Sequence, residues 1–253
     1  MDRIIVNKLS KNFFIPAKGR GAILKNSSRF IFKNHRLAKI AALDDVSFTI
    51  KAGEKIGLIG LNGSGKTTLL RLIGGVYRPS NGVVRTEGKI VSFLMTAWPQ
   101  LRLTVTDNIF LGGALYGLTI EETKEYLLPI VEFAELKEYL GAPLYQLSAG
   151  MQERLAIAAF LYIAFGNQAG ILLIDELFSN SDINFLNKAI RKLEDFLQTQ
   201  ATILMASHNF EVMVKTCNRI IWLDHGRVVK IGASQEIIKE FIGVNAVASP
   251  TQD

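Results

Sequence analysis

The segment "KIGLIGLNGSGKTTLLRLIGG", residues 55–75, decides the fold. KIGLIG is apolar and short enough for a buried strand. A glycine-rich turn follows, and residues 60–67, GLNGSGKT, fit the pattern G-x-x-x-x-G-K-[ST]. KTTLLRLIGG then reads as a helix that stops at Gly74 and Gly75. Strand, glycine turn and helix form a phosphate cradle. Gly60, Gly63 and Gly65, with Asn62 and Ser64 between them, let backbone N–H groups turn inward around a β-phosphate. Lys66 meets the β and γ oxygens, the Thr67 hydroxyl ligates Mg²⁺, and Thr68 reaches the α-phosphate. The fold class is α/β, built around a phosphate-binding loop.

Two later stretches complete that chemistry. "ILLIDE" is a buried strand that delivers Asp175 to its carboxyl end, where a carboxylate holds Mg²⁺ through water. Glu176 comes next and orients the attacking water beside a γ-phosphate. "TILMASHN" ends in His208, whose imidazole touches the γ-phosphate and keeps that water aligned.

A second anion site lies at "LSAGMQERLAIAAFLYIAF", residues 147–165. Ser148 caps the helix, and Gly150 leaves its positive end uncovered despite the cost of glycine in a helix. The run from Leu155 to Ile174 contains no charged residue. "GNQAG" at 166–170 breaks it, so it reads as a buried helix, a turn and a buried strand rather than a membrane span.

The chain has 253 residues and one cysteine, Cys217, which rules out a disulfide framework. The formal net charge is +6 and is unevenly placed: ten Lys or Arg and no acid lie between Arg3 and Leu43. This block is either a solvated basic loop or a contact for an anionic partner: lipid headgroups, nucleic acid or a charged ligand. Elsewhere the pattern gives an edge strand in "RIIVNKLSKNFF", an insertion at 16–40 with a short helix near 24–32, and two strands in "ALDDVSFTIKAGEKIGLIG". "GVVRTEG" and "KIVSFL" read as strands, and residues 105–165 as mainly helical. "ATILMAS" reads as strand, with helices over 182–197 and 210–216. A hairpin turns at Asp224, His225 and Gly226, and "SQEIIKEFI" forms a last helix before ten frayed residues.

Taken together, these motifs resemble the ATPase subunits of ABC transporters, over nearly the whole chain. "GLNGSGKTT" looks like Walker A, "LSAGMQ" like the signature, "ILLIDE" like Walker B, "NSD" at 180–182 like the D-loop and "SHN" at 207–209 like the switch histidine. The resemblance implies a P-loop NTPase of ABC type with a mixed sheet core, an N-terminal antiparallel β portion and an inserted helical subdomain. The whole chain 1–253 is one such domain, with 1–103 and 166–253 as catalytic core and 104–165 as helical subdomain. It implies ATP and Mg²⁺ as cofactors, and a homodimer in which Ser148, Ala149, Gly150 and Met151 of one copy close on the ATP held by the other. Asp182 joins that interface, and Phe13 stacks on adenine, with Phe14 as a competing candidate.

The closest resemblance within the family is to polysaccharide exporters of O-antigen, capsule and teichoic-acid type. It rests on residues 42–82, on "VEFAELKEYLGAPLYQLSAGM" and on "CNRIIWLDHGRVV". The implied partners are two copies of an integral permease and, through it, a lipid-linked polysaccharide, with no nucleic acid. The implied location is the cytoplasmic face of the inner membrane, held peripherally. The family's Gln after "KIVSFL" is replaced here by "MTAWPQLRLTV", where Gln100 is the candidate for that role and Trp98 and Pro99 for a permease contact. A soluble ABC ATPase of translation or repair is the alternative, against which stand a single cassette and no coiled coil. A P-loop kinase or GTPase lacks "LSAGMQ", and no N-K-x-D occurs.

Overall fold

The computed structural model describes residues 1–16, 37–93, 99–166, 169–175, 183–197 and 200–247. In chain order these form β1 (Asp2–Pro16), β2 (Leu37–Lys51), β3 (Lys55–Ile59), α1 (Lys66–Ile73), β4 (Asn81–Thr86) and β5 (Ile90–Phe93). Then follow α2 (Val105–Leu115), α3 (Ile120–Phe133), α4 (Ala149–Gly166), β6 (Ile171–Asp175), α5 (Ile183–Leu197) and β7 (Thr202–Ala206). The last are α6 (Phe210–Thr216), β8 (Arg219–Asp224), β9 (Arg227–Ala233) and α7 (Ser234–Val247).

The strands make two sheets. A six-stranded sheet runs β5-β6-β7-β3-β8-β9, parallel except for β9. A three-stranded antiparallel sheet runs β2-β1-β4.

The central strands are apolar on both faces, and the period of two sorts their residues into two cores. Ile56 and Leu58 of β3, Ile171 and Leu173 of β6, and Leu204 and Ala206 of β7 pack with α1 and the antiparallel sheet. Ile59, Leu172, Ile174, Ile203 and Met205 pack on the other side with α4, α5 and α6. The α1 and α4 helices therefore cover opposite faces of one sheet. From Leu155 to Leu161, and at Ile163 and Ala164, α4 is buried all round. It packs against α2, α3 and α5 as well as the sheet. That surrounds it with apolar partners and explains its uncharged run. No helix among the described residues is long and apolar enough to cross a membrane.

Caps set the helix starts. Thr104 accepts the Asp107 N–H at 3.0 Å ahead of α2. Thr119 and Glu122 form a reciprocal capping box at α3.

The structure corrects the sequence reading in two places. The first strand is not an edge: β1 lies between β2 and β4. The last helix runs on to Val247 instead of fraying ten residues from the end. Of the remaining expectations, the short helix at 24–32 lies outside the described residues.

Candidate functional site

β3 opens into the phosphate loop, and the loop closes on α1. Gly60 sits at φ +150 with so little space that a Cβ would stand 2.2 Å from the Leu223 carbonyl oxygen. Gly65 caps α1 at φ +107, where a Cβ would meet the Ala42 carbonyl at 2.7 Å. Side chains at either position would fill the cradle or break its turn. Lys66 is buried, and its ammonium donates to the carbonyls of Gly60 at 2.8 Å and Leu61 at 3.2 Å. Ser64 is also buried, and its Oγ has no hydrogen-bond partner. An orphaned buried hydroxyl inside a loop of glycine amides fits a triphosphate, whose oxygens accept such donors. Thr67 and Thr68 stand half-buried in the first turn of α1.

The other groups arrive by sheet register. Leu58 of β3 pairs with Ala206 of β7, and Ala206 pairs in turn with Asp175 of β6. Three strand ends thus stand in one row, about 5 Å apart from strand to strand. The row brings Gly60, Ser207 and Asp175 to the same carboxyl edge. His208 follows Ser207, exposed, just before Asn209 caps α6 by accepting the Val212 N–H at 3.1 Å. Thr67 and Asp175 are a hydroxyl and a carboxylate of the kind that holds Mg²⁺. Glu176 and Asp182 lie outside the described residues, as does Trp98.

The signature segment is built differently. Ser148 Oγ accepts the Met151 N–H at 3.2 Å, and the Ser148 carbonyl accepts the Gln152 N–H at 3.0 Å. Gln152 Nε2 donates to the carbonyls of Leu147 at 2.9 Å and Leu144 at 3.1 Å, which pins the turn before the helix. Ser148 and Ala149 are exposed. A Cβ on Gly150 would meet nothing within 4 Å. The mouth of α4 is therefore formed and capped, yet bare.

A family model described as ABC transporter matches residues 43–179. The chain belongs to the ABC transporter family. The O-antigen export system ATP-binding protein RfbB of Klebsiella pneumoniae is 38% identical over 79% of this chain and 80% of its own length. The teichoic acids export ATP-binding protein TagH of Listeria monocytogenes is 33% identical over 84% of this chain, which spans 62% of that relative. Among solved structures, an ATP-binding subunit of an ABC transporter superposes with a TM-score of 0.72 at 23% identity, covering 94% of this chain and 93% of that one. A dimeric ATP-binding cassette in a post-hydrolysis state with ADP and Pi gives 0.72 at 24% identity, covering 91% and 98%. The structural matches establish the ABC fold.

Phe13 packs against Tyr77, the residue four beyond the end of α1, with ring centroids 5.5 Å apart. Lys11 stands over the Phe13 ring at 5.1 Å. Phe14, on the other face of β1, is 63% exposed. Gln100 is exposed, and its backbone N–H and carbonyl are both tied to the buried Asn108 of α2, at 2.6 and 2.9 Å. Asn108 also binds the carbonyls of Leu103 and Thr104 and so shapes the whole turn. Sequence reasoning missed Asn108. Its one signal was an amide inside the apolar helix stretch VTDNIFLGG. It also missed Gly226, which it read only as a hairpin turn, although the Gly226 N–H binds the phosphate loop.

Proposed function

We propose that this chain is the ATP-binding and ATP-hydrolysing subunit of an exporter for a lipid-linked polysaccharide of O-antigen type. It acts as two copies on the cytoplasmic face of the cell's inner membrane, beneath an integral permease. The names of its relatives support the class of cargo. Teichoic-acid export is the second reading, supported by relatives so named.

One observation carries the two-copy reading. The phosphate loop leads into α1 on one face of the sheet, and the signature leads into α4, which packs on the opposite face. Among the described residues nothing crowds Gly150: a side chain there would meet open space. Glycine in a helix costs about 1 kcal/mol relative to alanine. A partner that needs a bare helix mouth accounts for that cost, and a twofold pair supplies one.

In this reading Gly60, Asn62, Gly63, Ser64, Gly65, Lys66, Thr67 and Thr68 bind the phosphates. Ser148, Ala149, Gly150 and Met151 of the second copy close over the γ-phosphate, and Asp182 lies at the same seam. Thr67 and Asp175 hold Mg²⁺, which supplies neutralisation of the β and γ oxygens when bound. Glu176 orients the attacking water and accepts its proton. His208 holds that geometry from the adjacent strand end. Residues 104–165 form the helical subdomain of a single cassette. Leu101 and Leu103, just ahead of that subdomain, and Tyr145 within it support a permease contact: Tyr145 N–H donates to the Leu101 carbonyl at 2.9 Å, and the three are 51%, 38% and 60% exposed.

Subunit mixing tests the shared site. Lys66→Ala disables the phosphate loop and Gly150→Leu blocks the mouth of α4, and each variant alone is expected to lose ATPase activity. A mixed pair keeps one intact site, made of the Gly150→Leu copy's loop and the Lys66→Ala copy's signature. Random pairing makes half of the pairs mixed, so activity returns to about a quarter of the normal value. A mixture as inactive as its components rejects the reading.

A further inference from the structure

We propose that Gly226, at the tip of the β8–β9 hairpin, is a positioning residue for the phosphate loop. It turns the Gly65 amide toward the nucleotide. The inference rests on the nucleotide reading above and adds a residue 160 positions from the loop.

Three segments meet here. The Gly226 N–H donates to the Ser64 carbonyl at 3.0 Å, and the Gly226 carbonyl accepts the Asp44 N–H at 2.9 Å. Gly226 sits at φ +77, and a Cβ there would lie 2.8 Å from the Ala42 carbonyl and 3.0 Å from Leu43 Cα. A Cβ on Gly65 would meet the same Ala42 carbonyl and would stand 3.6 Å from Gly226 Cα. Loop, hairpin tip and β2 are thus packed backbone to backbone. Arg227 fastens the tip, with its guanidinium binding Asp44 Oδ2 through Nη2 at 2.6 Å and Nε at 3.0 Å. The turn itself needs two positive φ values, and His225 supplies the first at φ +44.

The consequence follows from the peptide unit. The Ser64 carbonyl and the Gly65 N–H belong to one trans peptide, so they point in opposite directions. A donor that draws the carbonyl back against the hairpin turns the Gly65 N–H forward, out of the loop's far side. Preorganised amides of this kind bind phosphate without first having to be turned. Gly226 contributes no atom to the nucleotide and acts through the orientation of one peptide.

The test compares two glycines of similar backbone. Gly226→Ala places a Cβ against Ala42. Gly117→Ala imposes the same kind of strain at φ +80, in the turn between α2 and α3, where a Cβ would meet nothing within 4 Å. MgADP binding is measured by titration calorimetry, and thermal stability alongside. Gly226→Ala is expected to weaken MgADP by about tenfold or more, the loss of one charge-assisted hydrogen bond. Gly117→Ala is expected to lose stability but bind as the unmodified chain does. Equal affinities for Gly226→Ala and the unmodified chain would overturn the proposal, as would an equal loss in Gly117→Ala.

Should Gly226→Ala not fold, hydrogen exchange on the unmodified chain decides. Saturating MgADP should slow exchange of the Gly226 amide about tenfold, because locking the loop locks its partner. Unchanged exchange at Gly226 alongside tight MgADP binding would overturn the proposal. Failure of the unmodified chain to bind MgADP at all would count against the nucleotide reading itself.

Discussion

Lys66 and Cys217 are both buried, and their surroundings make opposite use of them. The ammonium of Lys66 is solvated by the Gly60 and Leu61 carbonyls of its own loop. Under the proposed function a triphosphate would replace those neutral partners with charged ones, which form the stronger bonds. Cys217 lies 4% exposed at the end of α6, and burial pushes its thiol up from 9.0 to about 12. Only the thiolate is a nucleophile, so this cysteine is inert in the folded chain. At pH 8 a disulfide reagent is expected to label it at the rate of unfolding, with fast labelling only in denaturant; immediate labelling of native protein would contradict the burial. The sign with pH follows. The folded value is the higher one, so its contribution to stability is full below pH 9.0 and is lost as pH rises toward about 12.

At the scale of elements, α4 depends most on its packing. Phe160 is fully buried and meets Phe93 of β5 with ring centroids 5.1 Å apart. Phe160→Ala is expected to cost about 3–5 kcal/mol, since a deep cavity collapses poorly. Urea denaturation measures it, and a loss under 1 kcal/mol would mean that α4 repacks freely. Much of this layer was legible in the sequence. Strands β6, β7 and β8 carried continuous apolar runs because both faces are covered, and α1 carried its own stop signal in Gly74 and Gly75. The rank of β1 was not legible. Whether a strand lies at an edge depends on where β4 pairs, some 80 residues later, and local pattern carries no trace of that. The end of α7 was missed for a related reason: past Phe241 its sequence, IGVNAV, lacks the periodicity that marks a packed helix. The phosphate loop was legible because its chemistry is contiguous. Its support by Gly226 was not, because a hairpin turn reads the same whatever lies beside it. Phe13 shows another side of the same limit: its edge-on contact with Tyr77 joins β1 to the segment after α1, and no local pattern in either stretch announces that pairing.

At the scale of the whole molecule, the phosphate loop leads into a helix on one face of the sheet and the signature segment into a helix on the other, and the proposed function brings the two together through a second copy. Under the proposed function ATP would carry several negative charges into the seam between copies, and closure would depend on its γ-phosphate. Glu176→Gln is expected to bind ATP, halt turnover and sediment as a dimer with ATP but as a monomer with ADP. Rapid hydrolysis by this variant would remove Glu176 from its role, and ATP-independent sedimentation would remove the clamp.

The burial of α4 between Leu155 and Ala164 has a mechanical consequence. Eighteen residues of helix make a rod about 27 Å long. A rod gripped over its middle turns, with its first turn free, has little face on which to slide. Its serine tip then travels only when the surrounding helices travel, and by the same amount. A push delivered to the outer surface of those helices is therefore expected to move the tip with them, as a stylus follows the hand that holds it.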